Sequence, residues 1–169
     1  MHMREALLRD ATQIHDLIAS YSGDGTLLPR SLPEICENIR DFVVVEQAAR
    51  ILGCGALHLY GPHLAEVRSI AVVPEAKGLG VGRMLVDALL EQANRQEVTC
   101  VCLFTRIPGF FARMGFTVAQ REEIPDKLYK DCHRCPRLNH CDEVAMVRGE
   151  LPQFAILRPP AVQLVKLEL

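Results

Sequence analysis

The stretch RSIAVVPEAKGLGVGRMLVDALLEQA, residues 68–93, decides the fold. It opens on an apolar run that reads as a strand, which Pro74 ends. From Val81 to about Arg95 the apolar residues Val81, Leu85, Ala88 and Leu89 recur on one helical face, and Gln92 continues that line toward solvent. Between strand and helix lies KGLGVGR, residues 77–83. Alternating glycines at 78, 80 and 82 let the backbone approach a ligand closely, and the first amides of the helix have no partners within it. With the helix dipole behind them, these amides form a pyrophosphate site, and Lys77 and Arg83 add charge. A plain glycine-rich turn reads the same way in isolation. Two nucleotide motifs are excluded. A Walker loop needs Lys-Ser/Thr where Arg83-Met84 stands. A Rossmann turn follows the first strand of its βαβ unit, whereas this one comes deep in the chain.

Outward from this stretch, strand and helix alternate. REALLRD (residues 4–10) reads as a short strand, and Asp10 caps a helix running to about Ser22 on Ile14, Leu17 and Ile18. Ser31 with Glu34 makes a capping box for a second helix carrying Ile35 and Ile39. FVVVEQ, ILGCGALHLY and AEVRSIAVV follow over short links, as an antiparallel meander. The apolar run VTCVCLF lies beyond the crossover helix and is expected parallel to the strand ending at Val73. PGFFARM is a short helix stopped by Gly115, and FTVAQ and EVAMV are late strands. The fold class is α+β, with a mixed central sheet flanked by helices. Residues 1–150 form one domain with a cysteine-rich insertion at about 130–143, and 151–169 form a tail, either a docked strand or a partner arm. The leading MHM carries no structural weight in this reading.

The totals agree with one compact domain: 169 residues, 49% hydrophobic, net charge −2. That balance offers no field for nucleic acid or an anionic membrane, and no apolar run reaches membrane-spanning length. No signal-peptide h-region is visible. Seven cysteines, an odd number with four inside apolar or helical patterns, fit reduced thiols in a cytoplasmic protein.

The quoted stretch resembles the acetyl-CoA-binding core of the GNAT (Gcn5-related N-acetyltransferase) superfamily. Its Gln/Arg-x-x-Gly-x-Gly/Ala pattern is met by Lys77-x-x-Gly80-x-Gly82, with Lys in the first place. FFARMGF (residues 110–116) resembles the family's later aromatic signature, with Phe111 where tyrosine is frequent. The resemblance implies acetyl-CoA in a gap between two diverging strands. It would lie along Ile70, Ala71 and Val72, with its pyrophosphate on Lys77, Gly78, Leu79, Gly80, Val81, Gly82 and Arg83, near Phe110 and Phe111. It also implies Glu66 as general base, with Val72 or Ile70 offering an oxyanion-binding amide. On an unbroken pleat Glu66 shares its face with Arg68, Ile70 and Val72. Its simpler role is an ion pair with a nearby cation. Cys100 and Cys102 read as small core residues.

GTLLPRSLPEI, AEVRSIAV and DKLYKDCHRCPRLNHCDEVAM resemble in particular the short, stand-alone N-acetylglutamate synthases. This implies L-glutamate as acceptor, or glutamine. Two carboxylates call for at least two placed cations. Arg30 and Arg106 match family positions, and Arg68 and Lys127 are further candidates, with Lys130 and Tyr129 nearby. Two rivals stay open: the same fold acting on another amine, such as a protein N-terminus, and a metal-binding or acetyl-CoA-sensing module. The second draws on Cys132, Cys135 and Cys141, whose Cys-x2-Cys-x5-Cys spacing supplies three of the four ligands a zinc ion needs. His133, His140, Asp142 or Cys36 would be the fourth. A homodimer is also left open.

Overall fold

The structure is a computed structural model that describes residues 1–23, 25–132, 135 and 138–151. Seven strands form one mixed sheet in the spatial order β1-β2-β3-β4-β5-β7-β6. They are β1 (His2–Glu5), β2 (Phe42–Gln47), β3 (Arg50–Gly61), β4 (Leu64–Val72), β5 (Cys100–Thr105), β6 (Thr117–Val118) and β7 (Val144–Gly149). The helices are α1 (Ala11–Ser22), α2 (Leu32–Glu37), α3 (Val81–Arg95), α4 (Pro108–Ala112) and α5 (Pro125–Lys130). The β2-β3-β4 meander is antiparallel and β5 runs parallel to β4, as the link lengths require.

Several local readings change. The strand expected over residues 4–10 stops at Glu5, and the chain turns through a 3-10 turn at Leu8–Asp10. The cause is Asp10. Its buried carboxylate accepts from the Leu7 amide at 2.7 Å and from Arg4 at 2.7 and 3.0 Å, so it closes that turn instead of capping α1. His2 and Met3 pair with Glu46 and Val45, so part of the leading MHM belongs to the sheet. Ser31 caps α2 by accepting from the Glu34 amide. The reciprocal half of the box is replaced, because the Glu34 carboxylate takes Arg30 at 2.6 Å. Gln92 is half-buried rather than solvated. Helix α5 was not anticipated. Pro125 at its first position was the available signal. Residues 152–169, the bulk of the expected tail, lie outside the described residues.

Two departures from regularity place the site. The first is a bulge in β4. Cys54 pairs with Ala71 and Ala56 with Arg68, so Gly55 faces two residues, and Ser69 takes φ 55°. The bulge resets the pleat. Glu66 and Arg68 line a cavity. Ile70 and Val72 instead turn toward α3, where Ile70 lies over Gly55 beside Leu89 and Val72 approaches Gly82. The single face expected for Glu66, Arg68, Ile70 and Val72 is thus broken at Ser69. The second departure is a splay. β4 and β5 pair only at Ala65↔Val101 and Glu66↔Cys102, though both strands continue beyond. The β5-facing edge of residues 67–72 is therefore left without its neighbour strand.

Helix α3 packs on β3 where the strand has no side chains. A Cβ on Gly53 would sit 2.8 Å from Val81 and 3.1 Å from Leu85. Gly53→Val is expected to destabilise the fold by about 1–3 kcal/mol, the usual cost of overpacking. A urea titration with an unchanged m-value measures it.

Candidate active site

At the C-terminal end of β4 the chain enters the glycine turn. Gly78 and Gly80 take φ 82° and 84°, and a Cβ on either would meet nothing within 4 Å, so both are kept by backbone conformation rather than by crowding. Gly80 is the N-cap of α3, and the first helical bond runs from the Met84 amide to its carbonyl at 3.0 Å. The amides of Gly80, Val81, Gly82 and Arg83 thus have no partner within the helix. The positive end of the α3 dipole lies at this turn, an arrangement that suits an anion such as a pyrophosphate. Lys77 stands over the Tyr21 ring at 5.0 Å, and the Tyr21 hydroxyl donates to the Val72 carbonyl at 2.6 Å. Leu79 is exposed. Arg83 pairs loosely with Asp87 at 3.5 Å and stays exposed. Phe110 lies beside the start of α3, 3.6 Å from where a Gly82 Cβ would lie. Phe111, expected beside the cofactor, is buried in the core between Phe110 and Phe116, and acts by holding Phe110.

Next to the splay lies a cavity of about 100 Å³. Its walls come from the loop before α2, the middle of β4, the end of β5 and the segment from Arg121 to Glu143. Glu66 is 2% exposed at its base. Its Oε1 is 2.6 Å from Lys127 Nζ, and its Oε2 accepts from the Tyr60 hydroxyl at 2.9 Å. The Lys127 ammonium also donates to Asp131 at 2.7 Å, and Arg68 approaches Asp131 at 3.8 Å. Burial disfavours the Lys127 charge, but Glu66 and Asp131 outweigh it and push its pKa upward. Burial likewise opposes the Asp131 charge, and the Lys127 hydrogen bond prevails, holding that carboxyl low. The Tyr60 hydroxyl is pushed up, first by burial and then by the Glu66 charge, so it stays protonated and donates.

The sequence candidates Arg30, Arg68, Arg106 and Lys127 all reach this cavity. Arg106 donates to Asp142 at 2.7 Å and to the Gly25 and Thr26 carbonyls at 2.9 and 3.2 Å, so it ties the loop before α2 across to the β7 side. Tyr129 is 82% exposed on the outer face of α5. Lys130 points to His58 Nε2 at 2.6 Å and lies over the Tyr60 ring at 5.8 Å. Sequence reasoning missed Arg121. It donates to the Cys141 thiol at 2.9 Å and to the Glu143 carbonyl, over the Phe104 ring at 5.7 Å. Nothing in its surroundings in the chain distinguishes it from a surface charge.

Cys132, Cys135 and Cys141 line the same cavity. Among the described residues no group of three metal-ligating side chains comes together, and His133 lies outside them. Cys100 and Cys102 are fully buried, and burial raises both thiols, Cys100 to about 11, which bears out their reading as core residues.

A family profile described as an acetyltransferase (GNAT) domain matches residues 38–118. An uncharacterized N-acetyltransferase of Chlorobaculum tepidum is 40% identical over 146 residues, 86% of this chain and 94% of the relative. The amino-acid acetyltransferase of Mycobacterium tuberculosis is 33% identical over 78% of this chain and 77% of its own length. Among solved structures, N-acetylglutamate synthase of Neisseria gonorrhoeae, complexed with coenzyme A and N-acetyl-glutamate, superposes with TM-score 0.78 at 27% identity. The match covers 90% of this chain and 35% of that enzyme. A Mycobacterium tuberculosis structure in complex with CoA and a ligand designated NLQ superposes with TM-score 0.77 at 28% identity, over 89% of this chain and all of the other.

Proposed function

Because the chain belongs to the GNAT acetyltransferase family, we propose that it moves the acetyl group of acetyl-CoA to the α-amine of L-glutamate, or of a close relative such as glutamine, the first step of arginine biosynthesis. The observation that carries this reading is the cavity at the splay. Five cationic side chains, Arg30, Arg68, Arg106, Arg121 and Lys127, line it against the three carboxylates of Glu66, Asp131 and Glu143. Glu34 and Asp142 balance two of these cations from outside the cavity, so the feature that suits a dicarboxylate is the gathering of guanidinium groups around one cavity rather than an excess of charge. Arg30 and Arg106 are engaged at present by Glu34 and by the exposed Asp142. A substrate carboxylate would compete with Glu34 and Asp142, the more exposed member of each pair, for these guanidinium groups. Relatives named amino-acid acetyltransferase, and the neighbour complexed with N-acetyl-glutamate, support the same acceptor class.

The chemistry follows from placement. The exposed backbone edge of β4 past Glu66 offers hydrogen bonds to an extended pantetheine arm, and the α3 N-terminus takes the diphosphate. The thioester then meets the amine where the strands part. Glu66 takes the ammonium proton directly or through water, and the freed amine attacks the carbonyl carbon. The Val72 or Ile70 amide receives the developing oxyanion. Collapse of the tetrahedral species breaks the C–S bond, and the thiolate takes up the second proton shed by the acceptor nitrogen, directly or through water. A panel of amines with purified protein tests the acceptor. Turnover with glutamate or glutamine at least tenfold above peptides and monoamines is expected. Faster acetylation of peptides would replace this reading with that of a protein acetyltransferase.

A further inference from the structure

Lys127 is a cavity cation by position, but its ammonium is already committed. Of its three N–H donors one reaches Glu66 at 2.6 Å and one Asp131 at 2.7 Å, and the residue is 6% exposed. A side chain so held has little left to offer a substrate carboxylate. Glu66 is equally constrained, with one oxygen on Lys127 and the other on the Tyr60 hydroxyl. Each carboxylate oxygen still has one free lone-pair site, so the group can accept a proton without leaving its partners.

We infer that Lys127 is a positioning residue for Glu66: its ammonium keeps the buried carboxylate ionised and fixes its orientation toward the acceptor amine. The inference rests on the reading of Glu66 as the base. The charged and titratable groups around Glu66 leave this task to Lys127. On β3, Tyr60 is a neutral donor, and His58, the register partner of Glu66, stacks edge-on to it at 4.9 Å, with Lys130 beyond. On β5, Cys102 is a buried thiol held protonated. On β4, Arg68 reaches Asp131 rather than Glu66. Asp131, just past α5, adds a second negative charge on the far side of the ammonium. A carboxylate in such burial, with its opposite charge removed and a like charge left behind, binds its proton more tightly.

The test is the pH dependence of kcat/KM together with a direct titration of the Glu66 carboxyl by carbon NMR in protein labelled at glutamate. In Lys127→Met both the acid limb and the carboxyl titration are expected to move to higher pH by at least one unit. Lys127→Arg, which keeps the charge, is expected to restore both toward the parent. Where the methionine variant fails to fold by circular dichroism, Lys127→Gln takes its place with the same expectation. A purely structural lysine would lower the rate at every pH and leave the limb where it was. That result, or an unmoved Glu66 titration, overturns the inference. The NMR arm needs no turnover, so it decides the coupling of Lys127 to Glu66 even in a chain that proves inactive on all amines, a result that by itself refutes the proposed function.

Discussion

Glu66→Gln is expected to lower kcat by about 10²–10⁴-fold, the range for loss of a positioned general base. The change is nearly isosteric: the amide oxygen still accepts from Lys127, and the amide NH2 turns to the Tyr60 hydroxyl, which accepts in place of donating. The buried site therefore stays filled, while the group that takes the proton is lost. Acetyl-CoA affinity, read by isothermal titration, is expected to remain within about threefold of the parent, because the β4 bulge separates Glu66 from the glycine turn. A rate within about tenfold of the parent at its pH optimum would show that the amine reaches the thioester already neutral, with Glu66 confined to the ion pair.

The second large effect is expected at the other end of β4. Gly80 holds φ 84° at the N-cap of α3, and a β-branched side chain resists that region. Gly80→Val costs about 1–2 kcal/mol in strain. It also re-aims amides whose hydrogen bonds to a charged diphosphate are each worth about 1.5–3 kcal/mol. With two such bonds lost, acetyl-CoA affinity is expected to fall by about 10²–10⁴-fold. Titration with CoA and with a dephosphorylated pantetheine fragment separates the causes. The fragment lacks the diphosphate, so its affinity should change little. An equal loss for both would mean that the groove itself had collapsed.

The elements bearing these two residues were legible to different degrees. The glycine turn could be read because its demands are local: positive φ and a helix start leave their mark in a few consecutive residues. The meander and the parallel return of β5 followed from link lengths for the same reason. The bulge at Ser69 left no such mark, since serine there looks like any strand residue, and only the skipped pairing with β3 reveals it. That is why Ile70 and Val72 were assigned to the wrong face. Lys127 and Arg121 were opaque for a related reason. Whether a cation is solvated, bound to substrate or buried against a carboxylate depends on partners 61 residues away in one case, Glu66 for Lys127, and 20 in the other, Cys141 for Arg121. Arg30 and Arg106 were found through family likeness, and the structure adds that Arg106 ties the rim together before any substrate arrives, while Arg30 pairs locally with Glu34.

The two-pair register between β4 and β5 has a thermodynamic consequence. A sheet that parts in its middle lacks the cooperative cross-strand bonds that elsewhere tie its halves into one folding unit. A cofactor bound in that seam, as proposed above, would complete the sheet much as an added strand does. Its binding free energy then counts directly as folding free energy: about 2.7 kcal/mol at a hundredfold excess over the dissociation constant. Acetyl-CoA bound along β4 would thus raise the stability of the chain as well as supply its reaction, and a rise in melting temperature on adding CoA measures that gain.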